Sequence, residues 1–169
     1  MLMAARTTIE WTDATWNPVT GCTKISAGCA HCYAERMARR LKGMGLPRYR
    51  RGFEVALHED GLDLPLTWRR PRRVFVCSMG DLFHERVPDG FIRRVFETMR
   101  EARHHVFQVL TKRTERLREL GARLQWPPNV WMGVTIENGE YIARLDDLRT
   151  TGARVRFVSF EPLLGPMGP

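Results

Sequence analysis

Long apolar runs are missing from this chain of 169 residues. None approaches the roughly 20 residues needed to cross a bilayer, so no membrane partner is expected. The opening Met1-Leu2-Met3-Ala4-Ala5-Arg6 is too short to hold the apolar region of a secretory signal. Internal repeats and low-complexity segments are absent as well. Cysteine is scarce, with four in all. These gaps imply a cytoplasmic protein, and in that reducing setting clustered thiols favour metal binding or catalysis over disulfides.

The length suffices for one domain with a real core, and an apolar share of 43% is ordinary for a globular protein. Charge is unbalanced. Lys and Arg number 27 against 19 Asp and Glu, a formal net charge of +8. Much of the excess is arginine, in Arg36, Arg39 and Arg40, then Arg48, Arg50 and Arg51, then Arg69, Arg70, Arg72 and Arg73. Arginine suits bidentate phosphate contacts, so a nucleic acid is a candidate partner, and a well-solvated basic surface is the plainer alternative.

Strand and helix patterns alternate along the chain. Residues 7–20 are β-prone and lead into a cysteine loop. A helix is predicted from about Ala30 to Leu41, with Tyr33, Met37 and Leu41 as its apolar stripe and Gly43, Gly45 and Pro47 ending it. Residues 46–73 read as irregular. Predicted strands follow at 74–78, 106–110, 130–135 and 155–160. Helices are predicted between them, around Phe91, Val95 and Met99, from Thr114 to Leu120, and from Tyr141 to Leu148. The pattern implies an α/β fold, a partial (β/α) barrel of parallel strands with helical crossovers. The strands are near-continuous apolar runs, as expected when both faces are covered. Five strands do not close an eight-stranded barrel, and Pro169 follows a strand directly. Residues 1–169 are therefore expected to be one (β/α) domain, the N-terminal part of a longer partial barrel.

Polar residues gather just after each strand: Ser78 and Asp81, Thr111 and Lys112, Thr135 with Glu137 and Asn138, and Ser159 with Glu161. In parallel α/β folds that rim carries the active site. Three of the four cysteines, Cys22, Cys29 and Cys32, lie on the loop that would join it. The loop runs into a helix N-terminus, where backbone N–H groups favour thiolates. Three readings follow: a 4Fe–4S cluster with one iron left open, structural zinc completed by Cys77 or His31, or buried thiols without metal. Zinc sites commonly use paired Cys-x2-Cys knuckles, and only Cys29 and Cys32 form one. His84 reads as structural or surface, with a substrate-side acid or base as the alternative, and Trp11, Trp16 and Trp131 as packing residues, with base-stacking platforms as the alternative.

The cysteine loop resembles that of the radical S-adenosylmethionine (AdoMet) superfamily. Its second gap, two residues, matches the usual spacing, and its first, six residues, is longer. Five runs then resemble a phage-associated three-cysteine-motif family of that type. They are Glu10 to Cys22, Ser78 to His84, Leu110 to Arg113, Gly133 to Asn138 and Ser159 to Gly165.

The resemblance implies a 4Fe–4S cluster on Cys22, Cys29 and Cys32. It also implies AdoMet on the open iron, and one-electron cleavage that yields a 5′-deoxyadenosyl radical acting on a substrate. By position, Ser78, Gly80 and Asp81 would meet the methionine amino group. Thr135, Glu137 and Asn138 would meet ribose or carboxylate, Glu161 would face the same pocket, and Lys112 would pair with a carboxylate; the plainer readings are Asp81 as a cap, Glu137 and Asn138 as turn residues, and Lys112 with Arg113 as a helix start at a solvated edge. A reductant such as flavodoxin or ferredoxin is implied, along with an unknown substrate, nucleic acid or phage-related, and a possible separately encoded protein partner. The competing reading is a zinc-stabilised nucleic-acid-binding module without catalysis.

Overall fold

The structure, a computed structural model, describes residues 5–6 and 9–168. Residues 1–4, Thr7 and Thr8 lie outside the described residues, so they take with them most of the segment read against a secretory signal and the start of the first predicted strand. Pro169, which ends the predicted domain, lies outside them too. The strands are β1 (Ala5–Arg6), β2 (Ala14–Trp16), β3 (Val19–Thr20), β4 (Ala56–Leu57), β5 (Arg73–Val76), β6 (Val106–Thr111), β7 (Val130–Thr135) and β8 (Val155–Ser159). The helices are α1 (Tyr33–Gly43), α2 (Asp89–Glu101), α3 (Thr114–Gly121) and α4 (Arg144–Arg149). Six strands form one sheet in the order β1-β2-β5-β6-β7-β8. Only β1 runs antiparallel to its neighbour. Helices α2, α3 and α4 lie in the successive crossovers from β5 to β8, as parallel pairing requires.

Register explains the core. Val74, Phe107 and Val130 stand side by side across β5, β6 and β7, and Val76, Val109 and Met132 form the next row. All six are fully buried. They share one hydrophobic cluster with Phe91, Ile92, Val95 and Met99 of α2 and Leu117 of α3. The other face of the sheet carries Phe75, Leu110, Trp131, Val155 and Phe157, and these are only half-buried. The expectation that both faces are covered is therefore corrected: helices cover one face, and the other lines an open concave surface. Trp16 is core, its indole N–H donating to the Gly61 carbonyl at 2.8 Å. Trp11 packs edge-on against Phe75, with ring centroids 4.8 Å apart.

Two further sequence expectations shift. The long first strand is broken at Asn17-Pro18 into β2 and β3. β3 leaves the main sheet to pair with β4, inside the segment read as irregular. Proline cannot donate to a ladder, so the chain changes partner there. In α1 the buried stripe is Ala34 and Ala38, with Met37 and Leu41 half-buried, while Tyr33 is 59% exposed. Small side chains let that helix lie close to Tyr49 and Met79.

The β3–β4 ribbon holds a titratable brace. His58 Nε2 is 2.7 Å from the Thr20 hydroxyl. Burial, helped by the Arg48 charge and opposed by Asp60, lowers the His58 pKa from 6.5 to about 4. The unfolded chain takes up this proton at higher pH than the folded one does. The stabilisation is therefore complete above about pH 6.5 and is lost as pH falls through about 4. The thermal midpoint should fall over that window, and His58→Gln should shrink the fall; thermal unfolding across pH reads both.

Candidate metal centre

The cysteine loop starts at Gly21, whose φ of 81° lies in the left-handed region. Its N–H donates to the Met79 carbonyl at 2.8 Å, and Gly21 bridges to Gly80 in parallel register. A Cβ on Gly80 would sit 3.0 Å from the carbonyl oxygens of Gly21 and Val19. Two backbones thus meet where any side chain would separate them, which ties the loop to the end of β5. A single 3₁₀ turn, Ala27–Cys29, follows, and Cys32 caps the N-terminus of α1.

All three loop thiols are free and half-buried. They line one cavity of about 220 Å³ together with residues from three strand ends. Cys77 borders the same cavity but is buried in the core cluster, with a φ of 62°. Cys22, Cys29 and Cys77 differ electrostatically. Burial, then Asp81, pushes the Cys22 thiol up to about 11, against hydrogen bonding and charge from Arg113. Burial also raises Cys29, but backbone hydrogen bonding at Ile25 and hydrogen bonds from Ser26 outweigh it, with help from Lys112, so its pKa is lowered. Burial drives the Cys77 thiol far above its usual range, where it stays protonated.

Long-range contacts pin the loop to the strand-end rim. Glu137, just past β7 and fully buried, accepts from the Ser26 hydroxyl at 2.7 Å. Lys112 Nζ lies 3.0 Å from the same carboxylate, and Arg144 Nη1 lies 3.5 Å from its other oxygen. The Ser26 hydroxyl also lies 3.5 Å from Cys29 Sγ. Arg113 grips the other end of the loop through the Thr23 carbonyl and hydroxyl, at 2.9 and 2.8 Å, and reaches Cys22 Sγ at 3.6 Å. His84, fully buried, places Nε2 2.9 Å from the Thr23 hydroxyl while Nδ1 accepts from the Arg86 amide. Burial first, then Arg113, lowers its pKa, so the neutral ring donates to Thr23.

Gly28 leaves no room for a side chain here: a Cβ would fall 2.2 Å from Glu137 Oε1. Gly28→Ala is expected to push that carboxylate off Ser26 at a cost of about 1–3 kcal/mol, measured by thermal unfolding.

The rim residues named from sequence separate into three groups. Ser78, Gly80, Asp81 and Thr135 border the thiol cavity, as does Lys112. Asp81 is buried and already bonded, accepting from Thr111 Oγ1 at 2.8 and 2.9 Å and from the Phe83 amide at 2.9 Å. Burial still raises its pKa, against those hydrogen bonds. Ser78 Oγ donates to Asn17 Oδ1 at 3.2 Å, and the same oxygen accepts from the Met79 amide. Glu137 stands behind the loop as its anchor. Asn138 caps the turn Gly139–Tyr141 by accepting from the Glu140 amide at 3.0 Å. Glu161 does not share the thiol cavity; it lines a separate hollow on the open face with Trp11, Gln108 and Trp131. Ser26, Thr23 and Arg113 carry the anchoring and were not singled out as site residues from sequence.

Among the described residues, no three of His, Cys, Asp and Glu converge as tightly as one metal ion requires. His31 is exposed. Three thiols bordering one cavity are a donor set that a sulfur-bridged cluster can take.

The family described as "Protein of unknown function (DUF5131)" matches residues 6–169. The chain belongs to this family. No curated protein matches its sequence. Solved structures share the fold of this DUF5131 chain. A cysteine-to-serine mutant of spore photoproduct lyase aligns with a TM-score of 0.62 at 15% identity, covering 93% of this chain and 47% of its own. A double mutant of spore photoproduct lyase, with bound AdoMet and dinucleoside spore photoproduct, aligns with a TM-score of 0.59 at 14% identity, covering 94% and 48%. The DUF5131 chain thus spans about half the length of those structures and has the same partial (β/α)-barrel architecture, a mostly parallel sheet with helical crossovers. Among the described residues no helix is long and apolar enough to cross a membrane.

Proposed function

We propose that this chain is the AdoMet-binding part of a radical enzyme of the phage-associated three-cysteine-motif type, acting on a nucleic-acid or phage-related substrate in the cytoplasm. The observation that carries the reading is the convergence of Cys22, Cys29 and Cys32 on one cavity bordered by the ends of β5, β6 and β7. Those cysteines would hold a 4Fe–4S cluster. Bound there, the cluster supplies one-electron reductive cleavage of AdoMet, with the electron drawn from a flavodoxin or ferredoxin.

The chain's own residues do the rest. Gly80 keeps a wall of the cavity free of side chain, so backbone can approach the cofactor. The Thr135 hydroxyl, which makes no hydrogen bond to the described residues, offers a donor and acceptor. Asp81 supplies an acceptor for an ammonium group. Phe75 and Leu110 give the cavity an apolar side that limits water. That one similar structure holds AdoMet supports the reading. For the substrate, support comes from exposed Arg36, Arg40, Arg50, Arg69 and Arg70, which have no acidic partner among the described residues. A separately encoded protein partner remains part of the proposal.

The test is product formation. Anaerobic, cluster-loaded protein reduced with dithionite should convert AdoMet to methionine and 5′-deoxyadenosine, measured by chromatography. Cluster-loaded protein that yields neither product would contradict the proposal.

A further inference from the structure

Arg113 is out of place as a surface arginine. It stands two residues past the end of β6, at the N-cap of α3, yet its side chain is only 8% exposed. One terminal nitrogen binds the Thr23 carbonyl and hydroxyl and reaches Cys22 Sγ at 3.6 Å. The other pairs with Glu85. Its buried Nε has no hydrogen-bond partner, and the nearest carboxylate oxygen, on Asp81, is 4.0 Å away. A buried guanidinium with a spare donor is costly unless negative charge or an acceptor lies close by. Glu85, 58% exposed and solvated, and the buried Asp81 carboxylate both offset that charge. The guanidinium itself sits against the first cysteine of the loop.

We propose that Arg113 is a positioning residue for the sulfur cluster: it fixes Cys22 and compensates the charge of the thiolate-bound group, and so sets its reduction potential. The proposal rests on the cluster reading above. Positive charge and N–H donors near cluster sulfur favour the form carrying the extra electron, and so raise the potential. Lysine would keep the charge but could not hold Glu85 on one arm and Thr23 with Cys22 on the other, as the planar fork does.

The experiment is dye-mediated dithionite titration of reconstituted full-length protein, followed by electron paramagnetic resonance, with iron counted in every sample. R113Q should move the midpoint to more negative values and alter the reduced-cluster signal, and R113K should move it less. E85Q, which removes the counter-charge and keeps an amide oxygen to accept from the Thr23 hydroxyl, should move it the other way. R149Q, the same charge change on an exposed arginine of α4 paired with Asp146, should leave it unchanged.

If R113Q takes up no iron, E85Q decides: a positive shift supports the proposal and an unchanged midpoint overturns it. Iron-loaded R113Q with a wild-type midpoint also overturns it, leaving Arg113 as a tether only. Wild-type protein without iron overturns the cluster reading and this inference together.

Discussion

Cys22→Ala, Cys29→Ala and Cys32→Ala should each abolish iron retention after anaerobic reconstitution, while Cys77→Ala should keep it. All four thiols border one cavity, so proximity does not separate them. Protonation does. A thiol must ionise to bind iron. Hydrogen bonding lowers the Cys29 pKa, and Cys22, though raised by burial, has Arg113 beside it to meet the charge. Cys77 is fully desolvated and sees Asp81 and Cys22 as further negative neighbours. Its geometry argues the same way. The Cys77 amide is tied to the Trp16 carbonyl at 2.8 Å, and its left-handed backbone is fixed between β5 and the Gly80 turn. The three loop thiols sit on a segment that can adjust by side-chain rotation. Iron assay and visible absorption on the four variants check this directly. Loss of iron in Cys77→Ala would show a fourth sulfur ligand and close the open position on which AdoMet binding depends.

Gly21→Ala should be the most damaging single change to the fold around the site. A Cβ there would lie 2.1 Å from the Glu54 carbonyl oxygen and 2.7 Å from that of Phe53, and both are backbone. The left-handed φ of Gly21 adds its own penalty for any residue with a side chain. Strain and overpacking together suggest a loss of about 3 kcal/mol, equivalent to a fall of about 10 °C in thermal midpoint for a chain of this size. Cys22, the next residue, would move with it, so cluster loading should fall as well. Gly90→Ala is the matched comparison. Its Cβ would meet nothing within 4 Å and it lies inside α2, so it should be neutral or slightly stabilising. Equal thermal midpoints for the two variants would contradict this account of Gly21.

Much of the architecture was legible in the sequence. Strands β5 to β8 stand out as short apolar runs, with Val76, Val109 and Met132 meeting in register at the core. The polar residues just past them, Ser78, Asp81 and Thr135, do share a rim with the three thiols. What escaped was everything that depends on distant pairing. Glu137 meets Ser26 across 111 positions, and Arg113 meets Cys22 across 91. No local periodicity reports such contacts, so Glu137 read as a cofactor contact and Arg113 as a helix start. Of the two readings open for Asn138, cofactor contact or turn residue, its side chain serves the local turn. Glu161 follows a strand end like the others. β8 is the last strand in the sheet order, and Glu161 just beyond it lines the open-face hollow instead of the thiol cavity. In α1, spacing found the helix but favoured large Tyr33 over small Ala34 and Ala38, because close approach of a helix to its support rewards missing volume.

The most direct measurement is iron and acid-labile sulfide per chain after anaerobic reconstitution and desalting. Three thiolates around one cavity should retain about four irons and about four sulfides, with a brown sample to match. A colourless protein holding one zinc per chain, or no metal at all, would contradict the central claim that Cys22, Cys29 and Cys32 carry a cluster with one open iron.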